Sequence, residues 1–220
     1  MKLLFLGDSI TCGVLVQEGF VDLVAKELRC EVKNYGKSGT RIAKQMSSSD
    51  DFSFDENFLM RAKTMDKNAD FVIVFGGTND YGHGDAVMGK LGEKKETTFL
   101  GALQLLFEYL QMQYGKEKLC FILPLPRFDM NNIYGEQGIK LTKNYPSLYS
   151  LQAYIQAEKT FFESQGVNYL DLSLVFTEPN TAKESGLFVD GIHPNQQGHR
   201  LIAKAISDYI KKKNATIEKK

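Results

Sequence analysis

The chain has 220 residues, of which 43% are hydrophobic and 25% charged, values that are normal for a globular protein with a substantial core. Basic and acidic residues each number 27, so the overall charge does not favour a nucleic acid as partner. No apolar stretch approaches the ~20 residues that span a bilayer, so no membrane insertion is expected. We expect one domain over residues 1–214 and a solvated tail over 215–220.

Short apolar runs and helical stripes alternate along the chain, a pattern typical of a parallel sheet with helices on both faces. Five runs are predicted to be strands: Lys2 to Leu6, Glu31 to Asn34, Phe71 to Phe75, Leu119 to Leu123 and a weaker Val167 to Leu170. Three other segments carry apolar residues at helical spacing, beginning at Phe20, Phe99 and Leu201. The predicted fold class is therefore α/β, a three-layer α/β/α sandwich.

Ser9 follows the first predicted strand, in the segment Gly7-Asp8-Ser9-Ile10. Parallel α/β sheets keep their ligands and reacting groups at the carboxyl ends of the strands, so this hydroxyl is a candidate nucleophile. Asp and Ser are also common turn residues that satisfy backbone groups. Taken alone, the segment favours an ordinary turn.

Two glycine-containing segments follow the next two predicted strands. One carries Gly36, Ser38 and Gly39, and the other contains Gly77-Thr78-Asn79-Asp80. Negative charge develops on the carbonyl oxygen during acyl transfer, and one well-placed donor stabilises it by about 3–4 kcal/mol. The Gly39 N–H and the Asn79 side-chain amide are donors of this type, although each segment alone would also suit a turn.

The far end of the chain supplies an acid and an imidazole in Asp190-Gly191-Ile192-His193-Pro194. A serine hydroxyl is a weak nucleophile at neutral pH unless a neutral imidazole removes its proton. A carboxylate on the other ring nitrogen fixes the tautomer of the imidazole. The four segments together favour an acyl-transfer site over four unrelated turns.

In order along almost the whole chain, these segments resemble the four sequence blocks of the SGNH, or GDSL-type, hydrolase family. The resemblance implies ester hydrolysis through an acyl-serine intermediate, with no cofactor or metal, on a flavodoxin-like sheet of strand order 2-1-3-4-5. It assigns Ser9 as nucleophile, His193 as base and Asp190 as its acidic partner. The oxyanion hole would comprise the N–H groups of Ser9 and Gly39 and the amide of Asn79.

Two details of the second and first blocks bear on these assignments. Gly36 is an alternative to Gly39 as donor, because both lie in one loop; Gly39 is favoured since it stands between Ser38 and Thr40, as in the family block. Ile10 stands where the namesake motif has leucine, which is a conservative apolar change.

The predicted function is hydrolysis of a small-molecule carboxylic ester with a short acyl group, such as the acetyl ester of a carbohydrate or other metabolite. The polar, glycine-rich segment Tyr81 to Gly92 and the lack of a long apolar lid favour a short acyl group. Lysophospholipase, thioesterase or acyltransferase activity would use the same residues. A non-catalytic flavodoxin-like module that binds an anion on its glycine loops is a further alternative. The sequence does not determine the oligomeric state.

The cysteines are Cys12, Cys30 and Cys120, an odd number without a CxxC pair, so reduced thiols in a cytoplasmic protein are expected. The apolar run at the amino terminus is too short for the core of a signal peptide. Two further histidines are expected at the surface. His83 could pair with Asp85 at a metal, but two ligands are weak support, and His199 opens the last predicted helix.

Overall fold

A computed structural model describes residues 1–49, 52–127, 149–176 and 186–217. Within these residues five strands form one sheet: β1 Lys2–Gly7, β2 Glu31–Gly36, β3 Phe71–Phe75, β4 Leu119–Ile122 and β5 Asn168–Leu170. The same residues form seven α-helices: α1 Ser9–Cys12, α2 Phe20–Leu28, α3 Phe58–Ala62, α4 Thr78–His83, α5 Phe99–Tyr114, α6 Leu151–Gln165 and α7 Gln196–Ile217.

The sheet is parallel throughout, with the strand order β2-β1-β3-β4-β5. This confirms the five-stranded flavodoxin-like sheet implied by the family resemblance. The chain leaves β1 toward β2 on one side and then returns to β3 on the other, so a crevice opens beyond the carboxyl end of β1. Gly7 at that end pairs with Gly36 of β2 and with Phe75 of β3. The segments that follow these three strands therefore emerge side by side.

Both faces of the sheet are covered by helices, which confirms the three-layer sandwich. Successive side chains of a strand point to opposite faces, and β1 supplies Leu4 and Leu6 to one core and Leu3 and Phe5 to the other. The first core includes residues of α3, α5 and α6, and the second includes residues of α2 and α7. Because β1, β3 and β4 are buried on both sides, they are continuous apolar runs rather than alternating ones, whereas the edge strands β2 and β5 are partly exposed.

His199 of α7 is fully buried, so its predicted surface position is wrong. Its Nδ1 accepts the Phe20 N–H at 3.0 Å, and its ring stacks on the Phe20 ring at a centroid distance of 5.9 Å. The first turn of a helix has N–H groups without partners inside the helix, and Gly19 at the start of α2 has no side chain to cap them. His199 thus caps a neighbouring helix, which a search for periodicity cannot detect.

The last helix extends to Ile217, beyond residue 214, and residues 218–220 lie outside the described part. The division into a domain over 1–214 and a tail stays a prediction. None of the helices within the described ranges is long and apolar enough to cross a membrane.

Candidate active site

The end of β1 and the short helix α1 place Ser9 at the carboxyl edge of the sheet. Asp8 caps α1, because its Oδ1 accepts the Ile10 N–H at 3.0 Å. The helix folds back so closely that a Cβ on Gly7 would lie 2.8 Å from the Phe75 carbonyl oxygen and would overlap the Thr11 side chain. Glycine is therefore needed at position 7, and the turn leaves Ser9 only 7% exposed.

A chain of hydrogen bonds joins Ser9, His193 and Asp190. The Ser9 Oγ lies 2.9 Å from His193 Nε2, and His193 Nδ1 lies 2.7 Å from Asp190 Oδ2. A carboxylate can only accept, so Nδ1 carries the proton and donates to Asp190. The Nε2 lone pair then faces the Ser9 hydroxyl, which is the arrangement that a general base requires.

Asp190 is held ionised by the loop that carries it. Burial by itself raises the pKa of this carboxyl, but hydrogen bonds from the His193 N–H, the His193 ring and the Ile192 N–H outweigh it and bring the pKa below its usual range. The Asp190 Oδ1 accepts both N–H groups, at 2.8 and 2.9 Å. One carboxylate thereby orients the ring and braces the main chain beneath it.

The turn that presents His193 is closed by main-chain pairing. The Val189 N–H donates to the His193 carbonyl at 2.9 Å, and the Asn195 N–H donates to the Leu187 carbonyl at 2.7 Å. Phe188 and Pro194 form an antiparallel bridge. The imidazole therefore stands on a small hairpin whose shape is set before any substrate arrives.

The loop after β2 distinguishes the two glycines. The Gly36 N–H donates to the Asn34 side chain at 2.8 Å and is not available to a substrate. Gly39 has a φ of +74°, and its N–H has no partner among the residues that the structure describes. A Cβ on Gly39 would lie 2.5 Å from the Phe54 ring. Gly39 is thus the glycine of this loop with a free donor.

Asn79 lies in the first turn of α4, after β3, and is buried. Its Nδ2 donates to the Thr40 carbonyl at 3.0 Å, which uses one of the two amide hydrogens. Since Thr40 directly follows Gly39, this bond ties the second block to the third. The remaining amide hydrogen is available as a donor.

Asp80 makes a second link between these two blocks. Its carboxylate accepts the N–H groups of Ile42 and Ala43, both at 2.9 Å. Burial raises the pKa of Asp80 to about 7, against the effect of those two hydrogen bonds. Asp80 has no role in the site predicted from the sequence, because its spacing in the chain gives no signal of this long-range contact.

Two other carboxyls, Asp8 and Glu158, are also buried and have raised pKa values. Burial raises the pKa of Asp8 to about 6, and it raises that of Glu158 well above its usual value, with the charges of Asp80 and Asp8 adding to the effect on Glu158. Glu158 comes from α6 and lies beneath Gly77, where a Cβ would overlap its Oε1. Helical periodicity gives Glu158 no special status, so its burial could not be predicted.

His83 is the second histidine whose position differs from the prediction. It is half-buried at the end of α4, where its Nε2 lies 3.2 Å from Asn79 Oδ1 and its Nδ1 lies within 3.2 Å of two Arg41 nitrogens. The spacing of four residues from Asn79 was a usable signal, because residues four apart share a helix face. The prediction placed His83 in a loop, where this helical spacing has no meaning, but the residue lies in α4.

The structure gives no support to a metal between His83 and Asp85. Asp85 instead accepts the N–H groups of Met46 and Ser47, at 2.9 and 2.8 Å. Over the ranges that the structure describes, no group of three His, Cys, Asp or Glu side chains is placed to hold a metal ion. The three cysteines, all of them described, are free thiols.

Comparison with solved structures shows what this chain is similar to. A protein from Lactobacillus plantarum is 28% identical, with a TM-score of 0.76 and 96% of each chain covered. The acetyl xylan esterase AlAXEase is 20% identical, with a TM-score of 0.63 over 96% of this chain and 100% of that one. A lipase/acylhydrolase from Enterococcus faecalis is 20% identical, with a TM-score of 0.57 over 96% of this chain and 95% of that one. At 20% identity, the similarity to these last two structures shows the fold alone.

No curated protein matches the sequence significantly. The sequence profile of the GDSL-like lipase/acylhydrolase family matches residues 5–201, which include all four blocks. The chain therefore belongs to the GDSL-like lipase/acylhydrolase family and is a serine hydrolase that acts on ester bonds.

Proposed function

We propose that the protein hydrolyses a short-acyl ester of a carbohydrate or another small metabolite, with Ser9 as nucleophile, His193 as general base and Asp190 as the residue that orients His193. The observation that carries this proposal is the unbroken hydrogen-bond chain from Ser9 Oγ through both ring nitrogens of His193 to Asp190. In this arrangement Nδ1 of His193 faces Asp190 and Nε2 faces the Ser9 hydroxyl.

In the first half of the reaction, Ser9 Oγ attacks the ester carbonyl carbon while His193 Nε2 accepts the hydroxyl proton. Asp190 stabilises the imidazolium that forms. The N–H groups of Ser9 and Gly39 and the Asn79 amide donate to the carbonyl oxygen as it becomes negative. The intermediate then expels the alcohol, which takes the proton from His193, and an acyl-Ser9 ester remains.

In the second half, water attacks the acyl carbon and gives a proton to His193 Nε2. Collapse of this intermediate breaks the bond to Ser9, whose Oγ recovers the proton from His193. The products are the free carboxylic acid and the original enzyme. The same donors serve both halves, because the oxyanion forms at the same place.

The preference for a small acyl group rests on the space around the nucleophile. Ser9 is 7% exposed, and the segment after α4 is anchored to α5, since Phe99 N–H donates to the Val87 carbonyl and Leu100 N–H to the Met88 carbonyl, both at 2.9 Å. A nearly covered hydroxyl, on the same edge of the sheet from which this anchored segment emerges, favours an acetyl group over a long chain. The sequence suggests two stretches as walls of the substrate pocket, Tyr81 to Glu96 and Arg127 to Pro146, because each follows a strand on the Ser9 edge of the sheet. In the second stretch, residues 128–146 lie outside the described residues.

Kinetics on p-nitrophenyl esters from acetyl to long acyl would test the proposal. We expect the highest kcat/KM for the acetyl ester and a loss of at least about 10⁴-fold for Ser9→Ala. Ser164→Ala, which changes an exposed serine at the end of α6, is the matched control and should keep its activity. A fluorophosphonate should label Ser9, as located by mass spectrometry.

Two results would count against parts of this proposal. Activity retained by Ser9→Ala, or a label on another residue, would refute the assignment of the nucleophile. A rate that rises with acyl length would refute the short-acyl preference while leaving the hydrolase chemistry in place.

The cytoplasmic location, which is consistent with three free thiols, belongs to the same proposal.

A further inference from the structure

We propose that Arg41 and His83 are positioning residues that hold the Asn79 amide in its oxyanion-binding orientation. This inference rests on the proposed function, because it gives the Asn79 amide a partner in the reaction. It adds two residues that the four family blocks do not assign. The donor and acceptor atoms of each group decide how the amide is oriented.

The first step fixes the tautomer of His83. Arg41 offers donors only, and its Nε and Nη2 lie 3.2 and 2.6 Å from His83 Nδ1. That nitrogen must therefore accept. A protonated His83 would direct a second N–H at the guanidinium and place two cations together, so the neutral ring carries its proton on Nε2.

The second step fixes the rotation of the Asn79 amide. The protonated Nε2 of His83 lies 3.2 Å from Asn79 Oδ1, which accepts. On the other side, Asn79 Nδ2 donates to the Thr40 carbonyl, which cannot donate in return. A flipped amide would put two acceptors against each other at Thr40 and two donors against each other at His83. Only one orientation satisfies both contacts, and it leaves the second Nδ2 hydrogen as the donor that the proposed oxyanion hole requires.

The third step concerns the contacts that hold Arg41, and through it His83 and Asn79, in place. Arg41 is 5% exposed, and its Nη1 donates to Ser49 Oγ at 3.0 Å, while Ser49 Oγ donates to Asp55 at 2.7 Å. The Phe54 ring lies between the two blocks, because it packs on His83 at a centroid distance of 6.0 Å and occupies the space beside Gly39. These hydrogen bonds resist rotation of the amide, since a turn of Asn79 would leave the Thr40 carbonyl and the His83 Nε2 hydrogen without their partners.

A double-mutant cycle between His83 and Asn79 would test this role. With p-nitrophenyl acetate, His83→Phe should lower kcat about 10-fold or more and change KM by less than about 3-fold, because a misaligned donor weakens only the transition state. On the Asn79→Ala background, the same substitution should lower kcat by less than about 2-fold. Met112→Ala, which changes an exposed residue near the end of α5, is the control with unchanged kinetics.

The cycle separates positioning from general structural damage. Equal losses on the two backgrounds, or no loss in His83→Phe, would overturn the inference. His83→Gln keeps a donor and an acceptor, so its kcat should lie well above that of His83→Phe; if the two are equal in folded proteins, the inference is also refuted. This second variant supplies the answer if His83→Phe does not fold.

Failure of the proposed function would look different. It would appear in the native sequence, as ester hydrolysis that is absent or unaffected by Ser9→Ala. In that case the rate at which a fluorophosphonate labels Ser9 provides the second readout for the cycle, because the phosphonyl oxygen uses the same donors. Labelling that His83→Phe leaves unchanged would overturn the role of His83.

Discussion

The buried imidazole of His199 should make the folded state sensitive to acid. Burial, reinforced by the charge of His193, lowers the pKa of His199 from 6.5 to about 4. Between these values the unfolded chain binds a proton that the folded protein excludes, so the free energy of unfolding falls as the pH drops. At about 1.4 kcal/mol per pH unit, the cost is about 2 kcal/mol at pH 5 and about 3 kcal/mol at pH 4.

A difference measurement with His199→Asn isolates this effect. The Asn Oδ1 can take the place of His Nδ1 and accept the Phe20 N–H, but asparagine does not titrate. The raised pKa values of Asp8 and Asp80 act in the opposite direction, because the folded protein then binds more protons than the unfolded chain above pH 4. Since both proteins contain these carboxyls, their contribution cancels in the comparison.

Urea unfolding of both proteins at pH 7 and pH 5 gives the four free energies required. We expect the native protein to lose about 2 kcal/mol more than His199→Asn over this interval, whatever the stability of the variant at pH 7. An equal pH dependence of the two proteins would show that His199 is not held neutral, and it would refute the reasoning from burial.

Three other substitutions have expected outcomes. Asp190→Asn should fold normally but lower kcat about 10³–10⁴-fold in steady-state kinetics, because an amide can donate to His193 Nδ1 and so favour the wrong tautomer; ordinary activity would contradict the proposed role. Gly39→Ala should lower both kcat and the urea midpoint, since its φ is +74° and its Cβ would lie 2.5 Å from the Phe54 ring; a fully active variant of unchanged stability would argue against that contact. Asp80→Asn should lower the free energy of unfolding by about 1–3 kcal/mol, as one of two main-chain N–H groups loses its acceptor, and a loss of activity without a loss of stability would exclude this structural role.

The central strands β1, β3 and β4 were predictable because burial on both faces of a parallel sheet selects unbroken apolar runs, whereas the partly exposed edge strands β2 and β5 carry a weaker pattern. Phe71–Phe75 has the predicted bounds, and the other four strands differ from their predicted bounds by a residue or two at one end. The strand order came from the family resemblance, since local periodicity carries no information on which strands pair. The assignments of Ser9, Gly39, Asn79, Asp190 and His193 stay predictions, although the structure places their segments at one edge of the sheet.

The sequence by itself determined the α/β class, the approximate strands and the residue types that the chemistry needs, because these depend on local pattern and on short motifs. Only the tertiary structure decided that Arg41 contacts His83, that Asp80 accepts the N–H groups of Ile42 and Ala43, and that His199 caps α2. Each of these facts depends on which donor meets which acceptor after distant segments pack together. Hydrogen-bond partners between segments far apart in the chain leave no periodic trace, so they become visible only in the folded molecule.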